Sequence, residues 1–145
     1  MIPPEQTIKE CQRLISKGHL NEASETLHKM LLINPGHIEG IYCLCVCQRK
    51  QKKYSQAMEN LDQILLKVPD HGRAHQEQGY IHKALGDTSK AITALEKAVS
   101  LNPALFGSWR VLADEPGYPM RQEAKNRVDW LSSLPPALVS VSSLI

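Results

Sequence analysis

A marked excess of either charge is missing from this chain: 17 Lys and Arg stand against 15 Asp and Glu, for a formal net charge of +2. Domains that grip nucleic acid concentrate a strong basic excess on one face, so no nucleic-acid partner is expected. The densest basic stretch, Arg49-Lys50-Gln51-Lys52-Lys53, reads as a solvated turn between helices. No segment approaches the roughly 20 consecutive apolar residues that span a bilayer, so no membrane insertion is expected. The N-terminal Met1-Ile2-Pro3-Pro4-Glu5-Gln6 lacks both a basic n-region and an apolar h-region, and no signal peptide is expected. Paired cysteines are missing too. Cys43, Cys45 and Cys47 crowd one short segment and Cys11 stands alone, which makes a poor disulfide framework and points to the reducing cytoplasm. No convergent set of acid, base and nucleophile stands out either, and the chain reads as a non-enzyme without a cofactor.

What the sequence does have is a period. Pro35, Pro69 and Pro103 are spaced by 34 residues, as are Ala23, Ala57 and Ala91, and Leu27, Leu61 and Leu95. Gly18 and Gly86 lie two periods apart, with Lys52 at the position between them. Within each period the apolar residues follow the i, i+3, i+4, i+7 spacing of a buried helix face, as in Ala91, Ile92, Ala94, Leu95, Ala98 and Val99. A second helix-length segment precedes each such run. At Leu85-Gly86-Asp87 the glycine can adopt the left-handed conformation that ends one helix, and the aspartate can cap the next. Each proline falls just after a second helix, where its missing N–H stops the helix at little cost.

These residues resemble the tetratricopeptide repeat, whose pattern is W-x2-L-G-x2-Y, then A-x3-F, then P. His75, Gln78, Gly79, His82, Ala91, Leu95 and Pro103 carry it in the third period; Ile41, Leu44, Cys45, Gln48, Ala57, Leu61 and Pro69 in the second. Cys11, Leu14, Ala23, Leu27 and Pro35 give a first repeat with a degenerate start. A fourth opens with Trp109, Leu112 and Ala113, breaks at Glu115-Pro116-Gly117-Tyr118-Pro119, and resumes as helix near Arg121 through Ala124, Val128 and Leu131. The resemblance implies an all-α fold, a right-handed superhelical solenoid of antiparallel helix pairs. Its repeats span about 4–37, 38–71, 72–105 and 106–134 of one array over 1–145, with an apolar C-terminal helix at 135–145. Small residues are needed where the two helices of a pair cross: Cys11, Cys45, Gly79 and Ala113 on the first, Ala23, Ala57 and Ala91 on the second. A lone helical hairpin cannot bury its apolar face, so neighbours must stack.

A second resemblance covers less of the chain. Asn102-Pro103-Ala104-Leu105-Phe106-Gly107-Ser108-Trp109-Arg110, with Leu112-Ala113-Asp114 and the later Leu134-Pro135-Pro136, looks like a segment of bacterial proteins in which such repeats precede a sulfotransferase domain. It implies that the chain is a non-catalytic substrate-presenting or oligomerising arm, since no Gly-rich phosphate-binding turn is present. The apolar end, with Leu138, Val139, Val141, Leu144 and Ile145, suits a homodimer contact, or a last helix folded back over the fourth repeat.

The first resemblance implies a protein-interaction scaffold that holds a partner peptide on its concave face. The first helix of each pair lines that face, which places Tyr42, Val46 and Arg49 there from repeat two, and Arg73, Gln76, Tyr80 and Lys83 from repeat three. Repeat one offers Ile8, Gln12 and Ile15, and repeat four Arg110. Tyrosines among cations suit a carboxylate-bearing or acidic peptide; the same surface read without a ligand is a solvated groove, or one filled by the C-terminal segment. The lysine and asparagine constellation of chaperone-binding repeats is not matched. Cys43 and Cys47 share a helix face while Cys45 points elsewhere, no C-x2-C pair occurs, and buried packing thiols are expected rather than a metal site. His71 and His75 are spaced as ligands can be, but His71 falls before the first helical turn, and His75 and His82 occupy packing positions.

Overall fold

The computed structural model describes residues 2–135. Among these residues the fold is all-α, with eight helices and no strand. They form two compact units, divided between Pro69 and Asp70. The apolar stretch from Ala137 to Ile145, with the C-terminal helix and dimer contact expected of it, lies outside the described residues.

The first unit holds α1 (Pro4–Ser16), α2 (Leu20–Ile33), α3 (Ile38–Lys50) and α4 (Tyr54–Lys67). Its core is drawn from the periodic columns: Cys11, Ala23, Leu27, Cys45, Ala57, Leu61 and Ile64 are all buried. The crossing cysteines do more than keep the helices close. The Cys11 thiol donates to the Ala23 carbonyl at 3.9 Å and the Cys45 thiol to the Ala57 carbonyl at 3.7 Å, so each polar S–H is satisfied across its own helix pair. Burial of each of the periodic leucines contributes about 1.5–3 kcal/mol.

The second unit holds α5 (Gly72–Ala84), α6 (Thr88–Leu101), α7 (Phe106–Asp114) and α8 (Arg121–Ser133). Here the crossing residue is Gly79, and a Cβ there would lie 2.6 Å from Leu95 Cγ, so α5 and α6 approach as closely as a glycine permits. Leu95 also joins Val99, Leu112, Ala113, Tyr118 and Ala124 in one cluster, which binds the α5–α6 pair to the α7–α8 pair.

The turns explain the column formed by Gly18, Lys52 and Gly86. Gly18, Lys52 and Gly86 have φ of 82°, 64° and 83°, the left-handed region at all three. Each turn closes by the same two bonds: Gly18 N–H to Ile15 O and His19 N–H to Leu14 O, Lys52 N–H to Arg49 O and Lys53 N–H to Gln48 O, Gly86 N–H to Lys83 O and Asp87 N–H to His82 O. This is the Schellman closure, which satisfies carbonyls that a helix end leaves open. Lys52 carries a Cβ into a conformation that costs about 1–2 kcal/mol for a residue other than glycine. Asp87 then caps α6, accepting from Lys90 N–H at 3.1 Å. Two histidines serve likewise: Nδ1 of His37 accepts from Gly40 N–H and Nδ1 of His71 from Ala74 N–H, both at 3.0 Å. His71 is thus the cap before α5, as its place before the first turn predicts.

The fourth pair departs from this scheme where the prolines require it. α7 ends at Asp114, only nine residues long, and the 115–120 segment replaces the Gly-based turn. Tyr118 on that segment is buried in the cluster above, and its hydroxyl donates to Glu96 Oε2 on α6 at 3.1 Å. Arg121 Nε donates to the Ala113 carbonyl at 3.0 Å, covering the C-terminal end of α7.

Candidate functional site

In the second unit, Arg73, Gln76, Tyr80 and Lys83 are spaced by three, four and three residues on α5, which gathers them on one face of the helix. Their environments differ. Lys83 is exposed, and Arg73 and Tyr80 are half-buried. Gln76 does not line an open surface as expected: it is enclosed, and its Oε1 accepts from the buried Ser108 hydroxyl at 2.7 Å, so its amide oxygen is committed to holding α5 against α7. The Tyr80 hydroxyl lies against Gly107, where any side chain would collide with it. A tyrosine on α5 and a glycine on α7 together let these first helices pack closely, and Arg110, exposed on α7, stands at the position that Gln76 holds one period earlier.

In the first unit, Tyr42 departs from expectation in the same way. Its side chain is fully enclosed, along with every residue from Ile41 to Gln48 on α3, while Arg49 beside them is half-buried. Ile8 and Ile15 on α1 are buried as well. The apolar moment of α3 is thus spread around the helix, and alternation along the sequence gives no hint of which residues remain accessible.

The four cysteines are buried and none forms a disulfide. Burial pushes the Cys11 thiol up to about 11 and the Cys47 thiol up to about 12, so both are neutral at physiological pH and poor nucleophiles or metal ligands. Among the described residues no group of three or more His, Cys, Asp or Glu could hold a metal ion. Burial, and then the hydrogen bond to Glu96, push the Tyr118 phenol up to about 12.

Sequence reasoning passed over one cluster. On the α7–α8 pair the Arg127 guanidinium lies over two indoles, 5.3 Å from the centre of Trp109 and 5.5 Å from that of Trp130. Trp109 is anchored by its Nε1, which donates to the Pro103 carbonyl at 2.8 Å. Glu123 and Asn126 complete the lining of an open cleft of about 370 Å3 around these rings. The i, i+3 spacing of Arg127 and Trp130 was the available signal. Their meeting with Trp109 depends on how α8 re-enters after the 115–120 segment.

Two family models match the chain, both described as tetratricopeptide repeat: one over residues 14–78, the other over residues 72–105. Among relatives, Tetratricopeptide repeat protein 37 of Xenopus laevis is 26% identical over 128 residues, covering 77% of this chain. The chain spans only 8% of that protein's length. Among solved structures, MamA (residues 41 to the end) from Desulfovibrio magneticus RS-1 superposes with a TM-score of 0.68 at 22% identity, over 95% of this chain and 78% of that one. PcrH, solved in complex with the chaperone binding region of PopD, gives a TM-score of 0.61 at 16% identity, over 88% of this chain and 90% of that one.

Proposed function

The chain belongs to the tetratricopeptide repeat family, and on that premise we propose that it is a protein-interaction scaffold whose second unit holds a partner peptide against the first helices of its pairs. The observation that carries this reading is the α5–α7 face. Lys83 and Arg110 are exposed there, with Arg73 and Tyr80 half-buried on the same helix face as Lys83. Exposed cations beside a tyrosine suit a peptide bearing carboxylates, which the guanidinium and ammonium groups bind as charge-assisted acceptors. PcrH, of similar fold, was solved in complex with a segment of another protein, PopD, which supports a peptide-sized partner. Tyr42 and Gln76 contribute to this reading as buried packing groups, and Arg49 as a half-buried cation on α3.

The reading requires no chemistry from the chain itself. The cytoplasm suits it, because four buried free thiols persist in a reducing compartment. No helix among the described residues is long and apolar enough to cross a membrane. The sulfotransferase-arm reading rests on residues 102–114 and 134–136, and neither family match extends past residue 105.

The test is direct. A random dodecapeptide library panned on the folded chain should enrich acidic peptides. With Lys83→Glu and Arg110→Glu combined, their affinity should fall by about ten-fold or more, as loss of charge-assisted bonds requires. If no class of enriched acidic peptides loses affinity with the double variant, the proposal is overturned.

A further inference from the structure

We propose a second, separate docking surface on the α7–α8 pair, where Arg127, held over Trp109 and Trp130, binds a carboxylate of a partner protein segment whose neighbouring apolar side chain packs on Trp130. Cation–π contact engages the faces of a guanidinium and leaves the N–H groups around its edge pointing outward. Among the described residues the Arg127 guanidinium makes no hydrogen bond and no ion pair, although Glu123 stands four residues before it on the same helix. An arginine that forgoes an available carboxylate to lie over two indoles is fixed in position with its donors unspent. The cleft around it is open, and Trp130 is 54% exposed, the one exposed aromatic among the exposed large apolar side chains of the described residues. Tryptophan and arginine side by side, one partly desolvated and one presenting its face, is the composition of an interaction hot spot.

The charges around the cleft select the occupant. Glu123 lines the cleft and Asp129 is exposed on the same helix, and they offset Arg121 and Lys125. A single carboxylate can reach the guanidinium in a two-bond fork without meeting a net negative field. With those charges offset, the Arg127 guanidinium is left as a single uncompensated cation, which matches the one charge and planar fork of a carboxylate better than a doubly charged phosphate or a nucleic acid strand. The fitting partner is therefore a peptide segment carrying one Asp or Glu next to a large apolar residue.

The cluster supplies its own probe, because Trp109 and Trp130 are the chain's only two tryptophans and both line the cleft. Peptides panned from a random dodecapeptide library are sorted by three variants of the whole chain: Arg127→Lys, Trp130→Ala, and the Lys83→Glu with Arg110→Glu double. The proposal expects a class with Asp or Glu beside Leu, Ile, Phe or Trp. Its members should change the tryptophan fluorescence saturably, lose about ten-fold or more in affinity with Arg127→Lys, which keeps the charge but not the fork, and bind the double variant unchanged. Trp130→Ala, at an exposed position, keeps the fold intact and should weaken the same class. Replacing the peptide's Glu by Gln should abolish the fluorescence change. If no class depends on Arg127, if the dependent class lacks an acidic residue, or if inorganic phosphate competes as well as the peptide does, the proposal is overturned. Loss of both classes with the α5–α7 double variant alone would place all binding on that other face, and would also overturn it.

Discussion

The two helix pairs of the second unit solve the same packing problem by different means. In α5–α6 the join is three residues, Leu85-Gly86-Asp87, closed by backbone bonds and a side-chain cap, and the helices meet at a glycine. In α7–α8 the first helix is cut short and six residues intervene, so the turn contributes a side chain of its own: Tyr118 enters the core and ties itself to Glu96. Regular repeats are held by backbone geometry, whereas the irregular one is held by a side-chain plug. The irregular one is also where the exposed tryptophan and the cation-holding cleft appear, because α8 enters on a new path.

Of the substitutions that bear on this contrast, Leu95→Ala should have the largest effect. Leu95 packs against both pairs, so its truncation should cost about 2–5 kcal/mol and should collapse the distinction by loosening both at once; urea unfolding followed by circular dichroism measures it. Next comes Gly79→Ala. In an open helix this exchange would gain stability, but a Cβ here meets Leu95 at 2.6 Å, and overpacking should cost about 1–3 kcal/mol. A neutral or stabilising result would show that α5 and α6 can separate. Tyr118→Phe should lose about 1 kcal/mol at neutral pH through the bond to Glu96.

That variant also tests the plug by pH. The Tyr118 phenol titrates at about 12 when folded, against an ordinary value of 10.0, so its contribution is complete below pH 10 and is lost as pH rises toward 12. Tyr118→Phe should therefore flatten part of the alkaline fall in stability, while the fall due to Cys11 and Cys47 in the first unit persists. The smallest effect belongs to the regular turns. Lys52→Gly should gain about 0.5–1 kcal/mol, the left-handed strain relieved less the added freedom of the unfolded chain. The gain would show as a shift in the urea midpoint with an unchanged slope.

Much of the fold is legible in the sequence. The 34-residue columns place the crossing residues, the periodic leucines and the three left-handed turns, and the prolines mark where second helices stop and where the fourth pair breaks. Gly86 and Asp87 take the conformations their residue types favour. The candidate surface was less legible. Lys83 and Arg110 are exposed as the helix register requires, yet Tyr42 and Gln76, equally placed in register, are enclosed. Register fixes the direction in which a side chain leaves its helix. It does not say what lies opposite, and for Gln76 that proved to be Ser108, 32 residues away.

Sequence alone therefore determined the helix pairs, because their spacing, caps and turns are local choices repeated at a fixed period. Only tertiary structure decided that Tyr118 fills the fourth pair, that Gln76 is spent in the interior, and that Arg127 meets two indoles from different helices. Those contacts join residues distant in the chain, and no local preference encodes which distant partner will arrive.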